Sequence, residues 1–207
     1  NGFDCEAFHP DPVARLAVRA ELGLERDAVL VGLIARYHPM KDHESFFRAA
    51  AILTQRWPEA HFALAGPGVD DANSRLASLI HGLGLSGSVH LLGEREDAPR
   101  LTAALDIATS SSAWGEAFSN VLGEAMACGV PCVTTDIGDS AWIVGDTGLV
   151  VPPGSPEALA QAWERLLDEG GEGRRGRGAA ARRRVQEHFS QASVVAQYES
   201  LYAELTA

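Results

Sequence analysis

DIATSSSAWGEAFSNVLGEAMACGVPCVTTD, residues 106–136, reads as strand, loop, helix and strand in succession. DIATSS (106–111) is a short run fit for a buried strand. SNVLGEAMACG (119–129) has the apolar spacing of a helix and is stopped by Gly129 and Pro131, the usual punctuation of a helix end. PCVTTD (131–136) starts the next strand. Two short strands joined through a helix pair in parallel, because only a crossover of this kind returns the chain to the same edge of the sheet.

The same alternation extends in both directions. AVLVGLIA (28–35), HFALAG (61–66), SVHLLG (88–93) and GLVVPP (148–153) read as further strands. ESFFRAAAILTQRW (44–57), ANSRLASLIHGLG (72–84), APRLTAAL (98–105) and SPEALAQAWERLLDEG (155–170) read as the helices between and after them. The last carries a Ser cap with Pro just inside it. A helical tail runs from about Ala179 and breaks near Phe189–Ser190, and its final stretch has an apolar stripe of Val194, Val195, Tyr198, Leu201, Tyr202 and Leu205. The basic patch EGGEGRRGRGAAARRR (169–184) reads as a solvated loop and helix face, with contact to a membrane or partner as the alternative. The expected fold is α/β: a Rossmann-like three-layer domain on a six-stranded, mainly parallel sheet.

The composition excludes several classes. A net charge of -11 argues against a nucleic-acid binder. No apolar run approaches the roughly 20 residues that span a bilayer. Cys5, Cys128 and Cys132 have no metal-ligand spacing and fit reduced, buried thiols of a cytoplasmic protein. The chain opens on NGFDCEAFHPDP, without an initiator Met, so a piece of a longer protein is expected.

In a doubly wound sheet, ligands bind beyond the carboxyl ends of the strands. The loop after the first strand holds Arg36 and Lys41, the only lysine of the chain, just before a helix N-terminus. Two cations beside free backbone N–H groups suit a diphosphate; a pair of solvated surface charges is the alternative. His38, Asp42 and His43 crowd the same loop without a zinc-binding spacing. The loop after the fourth strand holds Glu116, eight positions before Glu124. If Glu116 stays in the loop, both carboxylates face one cleft, where each can accept two hydrogen bonds from sugar or ribose hydroxyls. A carboxylate-pair hydrolase is the competing chemistry. Gly66 and Gly68 form a tight turn that matches neither common phosphate loop, and Ser111–Ser112 lack a nucleophile elbow.

Taken in order, these segments resemble the C-terminal domain of family 4 glycosyltransferases, which have the GT-B fold. Glu116-Ala117-Phe118 through Glu124-Ala125-Met126-Ala127-Cys128-Gly129-Val130-Pro131 resembles their E-x7-E signature and its tail. Ala35-Arg36 and Lys41 resemble G-R-x-x-x-x-K, with Ala35 where Gly is usual and Asp42 where a second Gly is common. Asn1-Gly2-Phe3-Asp4 with Phe8 and Pro10 resembles the hinge into that domain, and Gly145–Gly154 its late G-x-x-G-x-x-V-x-P segment. Ile137–Trp142 departs from the usual Gly-Gly-x-x-E segment by lacking the acid.

The resemblance implies a retaining enzyme that takes a nucleotide diphosphate sugar as donor and needs no bound metal or cofactor. Arg36 and Lys41 would hold the diphosphate, Glu116 the transferred sugar and Glu124 the ribose. Ala117 and the amides of Phe118, Ser119 and Asn120 would meet the phosphate and sugar. Gly66 and the Gly93-Glu94-Arg95 loop would approach the nucleoside. Residues 1–10 would be the hinge, 11–189 the donor domain and 190–207 a crossover helix to a missing N-terminal, acceptor-binding domain. That half would carry any contact with the inner membrane face. Alternatives are a sugar-nucleotide epimerase, a phosphorylase or a non-catalytic nucleotide-binding module.

Overall fold

The computed structural model describes residues 2–25 and 28–206; Asn1 of the hinge expectation and Ala207 of the final helix lie outside the described residues. Six strands form one sheet: β1 (Val29–Ile34), β2 (Ala60–Ala65), β3 (Val89–Leu91), β4 (Ile107–Ser110), β5 (Cys132–Thr135) and β6 (Leu149–Val151). Their order is β3-β2-β1-β4-β5-β6, and all five pairings are parallel, so the sheet is parallel throughout rather than mainly so. The order reverses between β1 and β4, which places the topological switch point at their carboxyl ends.

Both faces of the sheet are covered. On one, Phe46, Phe47 and Leu53 of α2 (His43–Arg56), Leu76 and Ile80 of α3 (Ser74–Gly82), and Trp163 and Leu166 of α7 (Pro156–Asp168) pack against Val31, Leu33, Phe62 and Leu64. Trp163 donates to the Thr109 hydroxyl at 3.0 Å, so its buried N–H is satisfied. On the other face, Val18 of α1 (Pro12–Glu21), Leu101 of α4 (Ala98–Ala104), Leu122 and Met126 of α5 (Asn120–Ala127), Ile143 of α6 (Ser140–Val144) and Val185 of α8 (Gly170–His188) pack against Leu30, Ala63 and Ala108. Strands buried on both sides are why the sequence shows continuous apolar runs.

Three elements differ from the sequence reading. Helix α1 was not anticipated, although its Asp11 cap accepts from the Val13 and Ala14 amides and Pro12 opens it. Helix α6 is only five residues long, too short for a periodicity. Helix α8 starts at Gly170, about nine residues before the expected tail, so the basic patch is helix and not loop. Arg175 and Arg183 are exposed, while three others bond within the fold: Arg174 donates to the Leu166 and Leu167 carbonyls at 3.3 Å, and Arg184 to those of Ile143 and Trp142 at 2.9 and 2.6 Å. Arg182 donates to the carbonyls of Phe8 and Ala127. Each of these three arginines reaches the last turn of α5, α6 or α7, where carbonyls lack helical partners and attract a cation.

The tail breaks where expected. Phe3 and the junction of α8 with α9 (Gln191–Thr206) are clamped together, the Phe3 amide donating to the Phe189 carbonyl at 2.7 Å and the Gln191 amide to the Phe3 carbonyl at 3.0 Å. Along α9, Val195, Tyr198, Leu201, Tyr202 and Leu205 are exposed.

Candidate functional site

The loops after β1 and β4 meet at the switch point because their strands are neighbours. The first loop is fixed by its surroundings. Ala35 and Tyr37 donate to the carbonyls of Ala65 and Pro67 at 2.9 and 2.8 Å. Gly66 (φ 147°) lies so close that a β-carbon there would sit 2.4 Å from the Ala35 carbonyl oxygen. The loop then makes a 3-10 turn over Pro39–Lys41, and Asp42 (φ 47°) turns it into α2 while its carboxylate caps the Ser45 amide at 3.1 Å. Asp42 is the only non-glycine with positive φ among the described residues.

The second loop is bonded to the first. The Ser111 hydroxyl donates to the Lys41 carbonyl at 2.7 Å, and the Ala113 amide to the Met40 carbonyl at 2.8 Å. These contacts deliver the Lys41 ammonium to Glu116, with Nζ 2.5 Å from Oε2. The same Oε2 accepts from the Ser112 hydroxyl at 2.8 Å. Ser112 is itself fixed, its carbonyl accepting from the Thr135 hydroxyl at 2.6 Å. The ion pair is largely shielded, with the Lys41 and Glu116 side chains 18% and 11% exposed. Arg36, by contrast, is exposed, and none of the described acidic side chains pairs with it.

Beyond Glu116 the loop runs into the N-terminus of α5. Ser119 stands at its cap position without making the capping bond, and its buried hydroxyl has no hydrogen-bond partner among the described residues. A helix start presents positive potential to an anion. Glu124 follows one turn into α5. It is half-buried, no hydrogen-bond donor among the described residues reaches its carboxylate, and burial pushes its pKa up. A carboxylate desolvated without a partner is costly unless a ligand donates to it.

The third component is a cavity of about 210 Å³ lined by Ala35, Arg36, Gly66, Pro67, Glu94 and Arg95. The Gly66 amide donates to the Gly93 carbonyl at 2.8 Å, which joins the loops after β2 and β3. Within this cavity the Arg95 guanidinium is engaged in a two-pronged pair with Asp97, both contacts at 2.6 Å, which raises its pKa. A second hollow, of about 510 Å³, lies at the amino ends of the strands among Arg15, Asp106, Gly129 and Pro131, away from the switch point.

The structure thus brings Lys41 to Glu116, and Arg36, Gly66, Glu94 and Arg95 to one cavity. Phe118 differs: its ring stacks on Phe3 at 5.7 Å and meets Phe189 at 6.2 Å, which turns it toward the junction of the N-terminal segment with α8. Ala117 and Asn120 are exposed and Ser119 buried. His38 accepts from the Met40 amide at 3.2 Å. His43 is buried edge-on to Tyr37 at 5.4 Å, and desolvation lowers its pKa to about 4. Among the described residues no group of three His, Cys, Asp or Glu side chains gathers to hold a metal. Ser112 was missed as a site residue; the run Ser110–Ser112, buried at a strand's carboxyl end, is the signal that marks it.

Residues 28–169 match the family model described as glycosyl transferases group 1, which covers more than half of the chain. The chain belongs to that family. It is 31% identical over 192 residues to N-acetyl-alpha-D-glucosaminyl L-malate synthase of Bacillus anthracis, a match covering 91% of this chain and 49% of that protein. It is 34% identical over 180 residues to a D-inositol 3-phosphate glycosyltransferase of Mycobacteroides abscessus, covering 83% of this chain and 39% of that one. The chain therefore spans less than half the length of these curated relatives. Among solved structures, Anabaena HepE in complex with UDP superposes with a TM-score of 0.88 at 27% identity, over 99% of this chain and 56% of HepE. HepE in complex with UDP-glucose gives 0.87 at 27%, over 98% of this chain and 56% of HepE. The fold is thus shared with a protein whose structures hold UDP and UDP-glucose. No helix among the described residues is long and apolar enough to cross a membrane.

Proposed function

We propose that this chain is the donor-binding half of a retaining glycosyltransferase that uses a nucleotide diphosphate sugar. The observation that carries this reading is the meeting of Lys41 and Glu116 at the switch point, with exposed Arg36 on the same loop as Lys41 and the N-terminus of α5 at the end of the Glu116 loop. As the sugar–phosphate bond breaks, charge accumulates on the diphosphate. Arg36, Lys41 and the amides around Phe118, Ser119 and Asn120 would neutralise it, in place of a metal ion. Glu116 would accept from hydroxyls of the sugar. Glu124, a carboxylate lacking donors, would accept from the ribose diol. The cavity between Gly66 and Glu94–Arg95 would take the nucleobase, the Arg95 stem rather than its guanidinium facing it.

Residues 1–10 would be the hinge and 190–207 the crossover helix to an N-terminal, acceptor-binding domain, an arrangement supported by their clamping at Phe3 and Gln191. The exposed stripe of α9 fits a helix that crosses to that domain. On this reading the isolated chain binds donor and does not transfer sugar, and the whole enzyme works in the cytoplasm, reaching the inner membrane face through its other half.

Calorimetric titration with UDP, GDP and ADP, with and without chelator, tests the site. Binding of one nucleotide that survives chelator and is lost in Lys41→Ala is the expected result. Binding that requires a divalent cation, or that Lys41→Ala leaves intact, overturns it. In the full-length enzyme, a product of inverted anomeric configuration would overturn the retaining assignment.

A further inference from the structure

Ser112 sits at a point of chemical conflict. One oxygen, Glu116 Oε2, takes both the Lys41 ammonium at 2.5 Å and the Ser112 hydroxyl at 2.8 Å. On the reading above, Lys41 must serve a diphosphate and Glu116 a sugar, so the pair that neutralises both groups competes with the donor. A diphosphate entering beside Lys41 draws the ammonium away, since a doubly charged anion outbids one carboxylate. Without another anchor, the abandoned Glu116 would swing toward solvent, taking its rotamer freedom with it.

The hydroxyl of Ser112 is that anchor. It is buried, with the residue 1% exposed. Its backbone is pinned by Thr135 through the 2.6 Å bond to the Ser112 carbonyl. The neighbouring hydroxyl of Ser111 holds the Lys41 carbonyl at 2.7 Å, so the Lys41 backbone stays in place while its long side chain moves. Ser112 reaches Oε2 only, and Oε1 has no partner among the described residues. The geometry therefore leaves one oxygen of Glu116 available to sugar hydroxyls and keeps the other tethered.

We propose that Ser112 is a positioning residue of the donor site, which holds Glu116 through Oε2 while Lys41 passes from that oxygen to the diphosphate. The inference rests on the donor-site reading and adds to it a specific role: Ser112 makes the site prefer the sugar nucleotide over the bare nucleotide. The exchange implies that removing the Glu116 charge frees Lys41 in advance, and that removing the Ser112 hydroxyl penalises only ligands that carry a sugar.

Calorimetry on this chain tests both parts, with inorganic pyrophosphate, UDP and UDP-glucose as the probes. Glu116→Gln is expected to bind pyrophosphate about tenfold tighter than the unaltered chain, the scale of one charge-assisted hydrogen bond. Ser112→Ala is expected to weaken UDP-glucose about tenfold relative to UDP, and Ser112→Thr to restore the ratio. A merely structural serine would move both nucleotides together. Equal or weaker pyrophosphate binding by Glu116→Gln, or an unchanged UDP-glucose to UDP ratio in Ser112→Ala, overturns the inference. Lys41→Ala separates the two levels: if it binds pyrophosphate as well as the unaltered chain, the donor-site reading falls with it. If it loses pyrophosphate while Glu116→Gln gains none, only the exchange falls. Melting curves of each variant verify that it is folded.

Discussion

Gly138 is packed against the backbone of Glu116: a β-carbon on it would lie 2.0 Å from the Glu116 carbonyl oxygen and 2.7 Å from that of Ala117. The Asp139 amide next to it donates to the Ala117 carbonyl at 2.9 Å. The loop after β5 is therefore the floor on which the Glu116 loop rests. Gly138→Ala adds a clash with backbone, which no rotamer relieves, at a residue with φ of 57°. The expected cost is about 2–3 kcal/mol of stability, part left-handed strain and part overpacking. Nucleotide affinity should fall about tenfold as Glu116 and the α5 N-terminus shift. Denaturant titration and calorimetry measure the two effects separately.

Asp42 combines two roles that substitutions can separate. Its φ of 47° disfavours a β-carbon, while its carboxylate caps α2 at the Ser45 amide. Asp42→Ala keeps the strain and loses the cap, so it should cost about 1 kcal/mol. Asp42→Gly also loses the cap but relieves the left-handed strain, so it should be close to neutral. A glycine is common here in the proteins that the sequence resembles, and the geometry explains the exchange. A chemical-denaturation midpoint for each variant decides it.

The strands were legible because parallel strands buried on both faces leave apolar runs, and AVLVGLIA and HFALAG fall within a residue or two of β1 and β2. The site was legible in outline because the switch point of such a sheet dictates which loops matter, and Lys41 and Glu116 stand on those two loops. What stayed hidden depends on long-range contact. No local pattern says that Gly138 supports Glu116 from 22 residues away, or that Ser112 shares an oxygen with Lys41. Helix α8 opens with glycines at 170, 171, 173, 176 and 178, each unfavourable to a helix by about 1 kcal/mol. Packing explains one of them: a β-carbon on Gly178 would lie 1.9 Å from the Gly129 carbonyl, so the approach of α8 to α5 demands glycine there. Arg95 does line a cavity with Gly66 and Glu94, but its guanidinium was not foreseen to belong to Asp97.

Acid should destabilise the fold through His43. Burial lowers its folded pKa from 6.5 to about 4, mainly by desolvation, with the Lys41 charge adding to it against the pull of Asp42. The unfolded chain therefore takes up this proton first as pH falls. The stability is complete above pH 6.5 and is lost between 6.5 and about 4. From pH 7 to 5 the loss from this residue is about 2 kcal/mol. His61 and His90, with ring nitrogens 3.2 Å apart and pKa values lowered by burial, act in the same direction. Denaturation at pH 7 and pH 5 should show a smaller difference for His43→Phe than for the unaltered chain; an equal difference contradicts the assignment.

Glu124 should be a residue whose function opposes stability. Its carboxylate is desolvated with no donor among the described residues, and burial raises its pKa. A raised carboxylate pKa means that the folded state holds the proton more tightly than the unfolded one. Stability linked to this group is therefore full below the ordinary carboxylate pKa and lost as pH rises through the folded value. At neutral pH the charge is a burden. Glu124→Gln removes it at nearly constant shape, and a gain of about 1 kcal/mol would raise the melting temperature by about 2–4 °C. On the proposed role of Glu124, the same change turns one acceptor for a ribose diol into a donor, so nucleotide affinity should fall about tenfold. Melting curves recorded with and without UDP measure both at once. The variant should melt higher than the unaltered chain when empty and gain less from UDP, and a lower melting temperature without ligand would show that Glu124 has a stabilising partner instead.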